Sequence, residues 1–181
     1  MVHPFSSIQH PCRWYLLTAL FVITVALAGV LRCQGTPLQS ASDVATRGIL
    51  SYEFSWNEST ARAILESWSK LTAVIQIQLK LDYVFLIFYP LLFSLACGML
   101  ADSTHNTVRA TIGSVLSWVV LLTGPFDAIE NYALLEMIEH GVSETMAKIA
   151  GAFAGAKFLL LVITLAYILG EAALQLFDQR P

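Results

Sequence analysis

The stretch YVFLIFYPLLFSLACGML, residues 83–100, runs for 18 residues without a formal charge. At the rise of an α-helix it covers about 27 Å, close to the thickness of a bilayer's hydrocarbon core. No water is available there to satisfy backbone N–H and C=O groups, so the run predicts a helix and excludes an open strand. Three further stretches pass the same test. Residues 14–31 carry no charge, residues 108–124 carry only Arg109, and residues 149–170 carry only Lys157. The composition agrees: 56% of the chain is hydrophobic and 13% charged, roughly half the charged share of a soluble domain. The mean hydropathy is +0.66. The expected fold is therefore an all-α membrane protein, a bundle of four transmembrane helices forming a single membrane domain over residues 1–181.

The same numbers remove other classes. A net charge of -3 with no basic block excludes an electrostatic nucleic-acid binder. High hydrophobicity excludes a disordered tail, and three scattered cysteines exclude a disulfide-stapled miniprotein. Ala26-Leu27-Ala28 has the small residues of a signal-cleavage site. The apolar run before it, however, exceeds the usual signal core of about 7 to 15 residues, so a retained anchor is expected. Lys and Arg near the span ends set orientation. With the N-terminus inside, Arg13, Arg109 and Arg180 face Arg32, Lys80 and Lys148, a tie. The long first loop lacks basic clusters and favours cytoplasmic N- and C-termini.

Gly124-Pro125 could end the third span and leave a surface helix. At 100° per residue, Asp127, Glu130 and Asn131 share a face while Glu136 lies opposite, a poor surface helix. One continuous helix over 108–138, kinked at Pro125, is expected instead, with the polar trio inside the bundle. The extramembrane loop, 32–81, opens with Gln, Ser, Thr and Gly over 32–47, an irregular connector. Leu50, Tyr52 and Phe54 then alternate with polar residues in a strand-like pattern. An amphipathic helix follows over 57–79, started by a Ser55–Glu58 capping box or by Asn57. Its apolar stripe includes Ala61, Ile64, Trp68, Leu71, Ile75 and Leu79, with Arg62, Glu66 and Lys70 on the other side. Continued straight to residue 100 it would be about 66 Å long, so a bend is expected near residues 80–82.

This topology brings ionisable groups to one depth. Asp82 opens span two, Asp127 and Glu130 approach from span three, and Lys157 lies about 13 Å below Lys148 on span four. Tyr89, two turns beyond Asp82, and Asn131 complete the candidate cluster. A bare charge at mid-bilayer costs at least ~2.5 kcal/mol, so the charges are expected to pair. The plain interpretation is an ion-pair cluster that fixes helix register. The functional ones are a pocket for a lipid headgroup, a proton or ion relay through Asp82, Glu130 and Lys157, and an oxygen-ligand cation site. Lys157 argues against the last, and no metal is expected. With no His mid-span, no Ser-His-Asp spacing and no phosphate loop, no cofactor or catalytic residue is assigned. Gly151 and Gly155 form a small-xxx-small face, for packing within the chain or for a homo-oligomer or membrane-protein partner.

Three segments carry a family resemblance: Gly48-Ile49-Leu50-Ser51-Tyr52-Glu53-Phe54; Leu81-Asp82-Tyr83-Val84-Phe85 with Tyr89; and Asp127-Ala128-Ile129-Glu130-Asn131. Together they resemble small bacterial four-span integral membrane proteins of unassigned function. That group shows a Phe-Glu-Leu-Ala-like loop segment, an Asp-x-x-Phe opening of span two and an Asp-x-x-Glu-Asn signature in span three. The likeness covers residues 48–138, and Tyr52-Glu53-Phe54-Ser55 departs from the loop pattern. It implies a bacterial inner-membrane protein with no activity attached and singles out Asp82, Asp127, Glu130 and Asn131. The functional expectation is a non-enzymatic multi-pass protein whose polar cluster binds a lipid-like ligand or orders the bundle for a partner. The alternatives are a transporter or ion-coupled component, and a membrane enzyme acting on lipid through Asp82, Glu130 and Tyr89.

Overall fold

The computed structural model describes residues 2–41 and 43–178; Arg180, counted above for orientation, lies outside them. The elements are α1 (His10–Ser40), α2 (Ile49–Glu53), α3 (Glu58–Ser67), α4 (Thr72–Ser103), α5 (Thr107–Val119), α6 (Thr123–His140) and α7 (Glu144–Asp178). A 3-10 turn at Val120–Leu122 joins α5 to α6. The protein is all-α, with no strand among the described residues. Four helical stretches are long and apolar enough to cross a membrane: His10–Ser40, Thr72–Ser103, Thr107–His140 and Glu144–Phe177.

Four local expectations are corrected. Residues 32–40 are not an irregular connector, because α1 continues to Ser40 with Pro37 inside it. Packing holds it there. Leu38 is fully buried, and a Cβ on Gly35 would lie 2.8 Å from Gln78 Nε2, so α1 and α4 approach closely at that glycine. The strand-like segment is the helical turn α2. Adjacent Tyr52 and Glu53 are both buried, which alternation along a strand would forbid and a helical turn permits.

The helix expected over 57–79 is two helices. Trp68 closes α3, its N–H returning to Ile64 and Leu65 carbonyls, and α4 runs unbroken through residues 80–82. The bend thus falls at residues 68–71, where the buried indole of Trp68 donates to the Leu38 carbonyl at 2.9 Å. Asn57, not Ser55, caps α3, its side chain accepting from the Thr60 N–H at 2.8 Å. Ser55 is separated from that role by Trp56, whose φ of 58° turns the chain. In span three the irregularity precedes Pro125 as the 3-10 turn at 120–122. Proline's ring displaces the carbonyl four residues back, here that of Leu121, so the preceding turn tightens.

The contacts form two compact units. The first comprises the residues up to Thr24, Ile87–Gly124 and the residues from Phe158 onward. In it the N-terminal segment folds onto α4. His3 is buried with Nε2 3.0 Å from Asp102 Oδ2, and Arg13 Nη1 lies 2.5 Å from the same oxygen. Arg13 also donates to the Ile8 and Ser6 carbonyls. The ring of His3 occupies the space a Cβ would need at Gly98. Between α5 and α7, Arg109 meets buried Glu171 at 3.6 Å, and the Tyr167 hydroxyl donates to the Arg109 carbonyl at 3.2 Å.

The second unit comprises Val25–Leu86 and Pro125–Lys157. Its apolar core joins Leu38, Tyr52, Ile64, Trp68, Ile75 and Leu134, with further residues around them. Tyr52 and Trp68 meet edge to face with centroids 6.2 Å apart. The Tyr52 hydroxyl donates to the Leu134 carbonyl at 3.1 Å, so the phenol is satisfied where it is buried. Trp56 rests its indole on Gly151, where a Cβ would come within 2.7 Å of the ring. The small-residue face of α7 is occupied here by a side chain of its own chain.

Candidate functional site

The polar cluster lies in the second unit and is centred on Lys157. Its Nζ donates to Asp127 Oδ1 at 2.6 Å and pairs with Glu130 Oε2 at 2.7 Å. The helix geometry explains the meeting. Asp127 and Glu130 are three apart on α6 and so share a face, and the long Lys157 side chain leans toward the start of α7. Glu130 is fully buried, Asp127 and Lys157 nearly so. Asn131, the next residue on that face, donates from Nδ2 to Asp82 Oδ2 at 2.7 Å, which ties α6 to α4. The Tyr83 hydroxyl adds a bond to the Ala128 carbonyl at 3.1 Å. Of the six residues singled out in the sequence, Asp127, Glu130 and Lys157 make direct ion pairs and Asp82 and Asn131 a joined hydrogen-bonded pair. Tyr89 belongs to the first unit, where its hydroxyl donates to the Thr123 carbonyl at 3.1 Å.

One member of the site was not foreseen. Glu53, on the short helix α2, is buried and places Oε2 4.0 Å from Lys157 Nζ. It stood inside the loop segment quoted for the family likeness, which is the one signal that could have found it. In the alternating pattern it reads as a solvent-facing polar position. The helical turn of α2 instead carries it inward beside Tyr52.

The charges do not balance. Three carboxyls (Glu53, Asp127 and Glu130) surround one ammonium, which leaves two surplus negative charges if all are ionised. Surplus charge in a low-dielectric interior is costly unless it is paired or protonated. Burial keeps the Glu53 carboxyl above its ordinary value of 4.5, against the lowering effect of Lys157. Glu130 Oε1 and the Ser55 hydroxyl are buried without a hydrogen-bond partner among the described residues. Lys157 occupies the position a cation would take, and no group of three or more His, Cys, Asp or Glu side chains able to hold a metal ion occurs among the described residues.

A pH dependence follows from Glu53. An acid whose folded value is raised binds its proton more tightly in the folded state. Its stabilising contribution is complete below the unfolded value of 4.5 and is lost as pH rises through the folded one. Melting temperature in detergent, followed from about pH 4 to about pH 8, is expected to fall with rising pH, and Glu53→Gln to flatten that slope. An unchanged slope in Glu53→Gln would refute this assignment.

The chain matches no protein-family model, no curated protein and no solved structure.

Proposed function

We propose that the protein is a non-enzymatic multi-pass protein of a bacterial inner membrane, with both termini cytoplasmic. In this reading the Lys157 cluster is a latch that secures the extramembrane segment to the helices beneath it and presents that segment to membrane lipids or to a membrane-protein partner. The observation that carries it is the reach of Glu53, from a five-residue helix between spans, to the ammonium of Lys157 on α7. A cluster serving only helix register needs no member from the loop. Its depth also disfavours a ligand pocket at the cluster itself, since Glu130 has no exposed surface. A homo-oligomer formed through Gly151 and Gly155 would first have to displace Trp56 from Gly151.

Limited proteolysis of the protein in liposomes tests the latch. Arg47 and Arg62, both exposed, are trypsin sites flanking α2. Releasing Glu53 by Glu53→Ala is expected to raise cleavage there by about tenfold, the response to a local opening made easier by roughly 1.4 kcal/mol. Cleavage at the wild-type rate would end the reading.

A second reading, an ion- or proton-coupled component, is favoured by the carboxyl surplus around a single ammonium. It expects proton flux in proteoliposomes that Glu130→Gln abolishes. Absence of flux in the wild-type protein would remove it.

A further inference from the structure

A cleft of about 380 Å³ opens in the second unit, away from Lys157. Its walls come from α1, from α4 and from the segment that begins α2, and Arg32, Arg47, Leu31, Gln78 and Phe85 are among the residues that line it. Ligand pockets commonly have volumes of this order. Arg32 is the first charged residue after the uncharged run 14–31, and Phe85 lies inside the uncharged run 83–100. The cleft therefore passes from membrane-level apolar side chains to guanidinium groups at the boundary, where basic residues meet headgroups. Neither guanidinium takes part in an ion pair or side-chain hydrogen bond among the described residues, although the other arginines of the helices do: Arg13, Arg62 and Arg109 each have a carboxylate.

Gln78 lies in the same wall. Its Nε2 donates to the Leu31 carbonyl at 3.4 Å, while its Oε1 is buried without a partner. The residue is 7% exposed. Two unpaired guanidinium groups match a ligand that brings an anionic group, and the unsatisfied Gln78 carbonyl beside them would gain a partner from a hydroxyl donor once its amide turns toward the cleft.

We infer that this cleft is a binding site for an acidic phospholipid with a hydroxylated headgroup. The phosphate sits between Arg32 and Arg47, a headgroup hydroxyl reaches Gln78, and the upper acyl chain lies along Leu31 and Phe85. A pair of guanidinium groups recognises a phosphate through charge-assisted, often bidentate hydrogen bonds whichever leaflet it faces. The site is independent of the latch, sharing none of its charged residues.

The test uses the full-length protein in a neutral detergent, titrated with phosphatidylglycerol, phosphatidylcholine or inorganic phosphate. Binding is read by native mass spectrometry and by melting temperature. Phosphatidylglycerol is expected to bind and raise the melting temperature, and the other two not to. The double variant Arg32→Gln/Arg47→Gln is expected to lose at least about tenfold in affinity, as befits two charge-assisted contacts. Arg32→Lys/Arg47→Lys, which keeps the charge, is expected to fall between them and guards against a folding defect in the first. Arg62→Gln, on an exposed arginine outside the cleft, is expected to bind as wild type. Equal binding of phosphatidylcholine, an equal effect of free phosphate, undiminished binding by the Gln double variant, or an equal loss in Arg62→Gln would each overturn the assignment.

Discussion

Lys157→Ala is expected to be among the most damaging single substitutions in this chain, lowering stability by about 3–5 kcal/mol, the loss typical when one partner of a buried ion pair is removed. The size comes from what is left behind. Asp127 and Glu130 lose contacts of 2.6 and 2.7 Å, and Glu53 loses the one positive charge it faces in an ion pair among the described residues. Three buried carboxyls then remain with no cation among them. A loss of this size is a large part of the net stability of a typical domain. Thermal or denaturant unfolding in detergent measures it. Glu130→Ala in the Lys157→Ala background is expected to cost much less than Glu130→Ala alone, because the orphaned charge goes with it. If the double variant equals the sum of the two singles, the residues do not interact and the cluster is not a functional unit.

Trp68→Ala is expected to cost about 3–5 kcal/mol, the range for truncating a fully buried large aromatic. Trp68 has no exposed surface, packs edge-on against Tyr52 and donates to Leu38. It also marks the bend between α3 and α4, so its loss removes the anchor of the segment that joins α1 to α4. The helical signal in circular dichroism is expected to persist while trypsin gains access at Arg62. Trp68→Phe separates the two contributions. It keeps most of the ring packing and leaves the Leu38 carbonyl without its donor, at about 1–3 kcal/mol. If Trp68→Ala melts within a degree of wild type, the packing account of this segment is wrong.

Much of the fold was legible because lipid imposes a strict rule on the chain. An apolar run of about 20 residues with at most one charge is expected to be a helix, whatever its neighbours, and all four such runs are helical. The grouping of Asp127, Glu130 and Lys157 was legible for a related reason. Helical periodicity puts 127 and 130 on one face, and a lysine within an apolar run needs a carboxylate. Outside the apolar runs no such rule acts. The connector expected before residue 47 is helical as far as Ser40, because burial of Leu38 and the close approach at Gly35 outweigh Pro37. Alternation of Leu50, Tyr52 and Phe54 suggested a strand, yet a single helical turn satisfies Tyr52 and Glu53 together.

The sequence by itself thus determined the helical class, the four membrane-length stretches and the charged residues that had to find partners. Only the tertiary structure decided where the loop bends, that Asn131 holds Asp82, and that Glu53 joins the lysine. These depend on which side chains meet across tens of residues, and local periodicity carries no information about contacts at that separation. The lysine must be neutralised wherever it lies, but which carboxyls do so is set by packing.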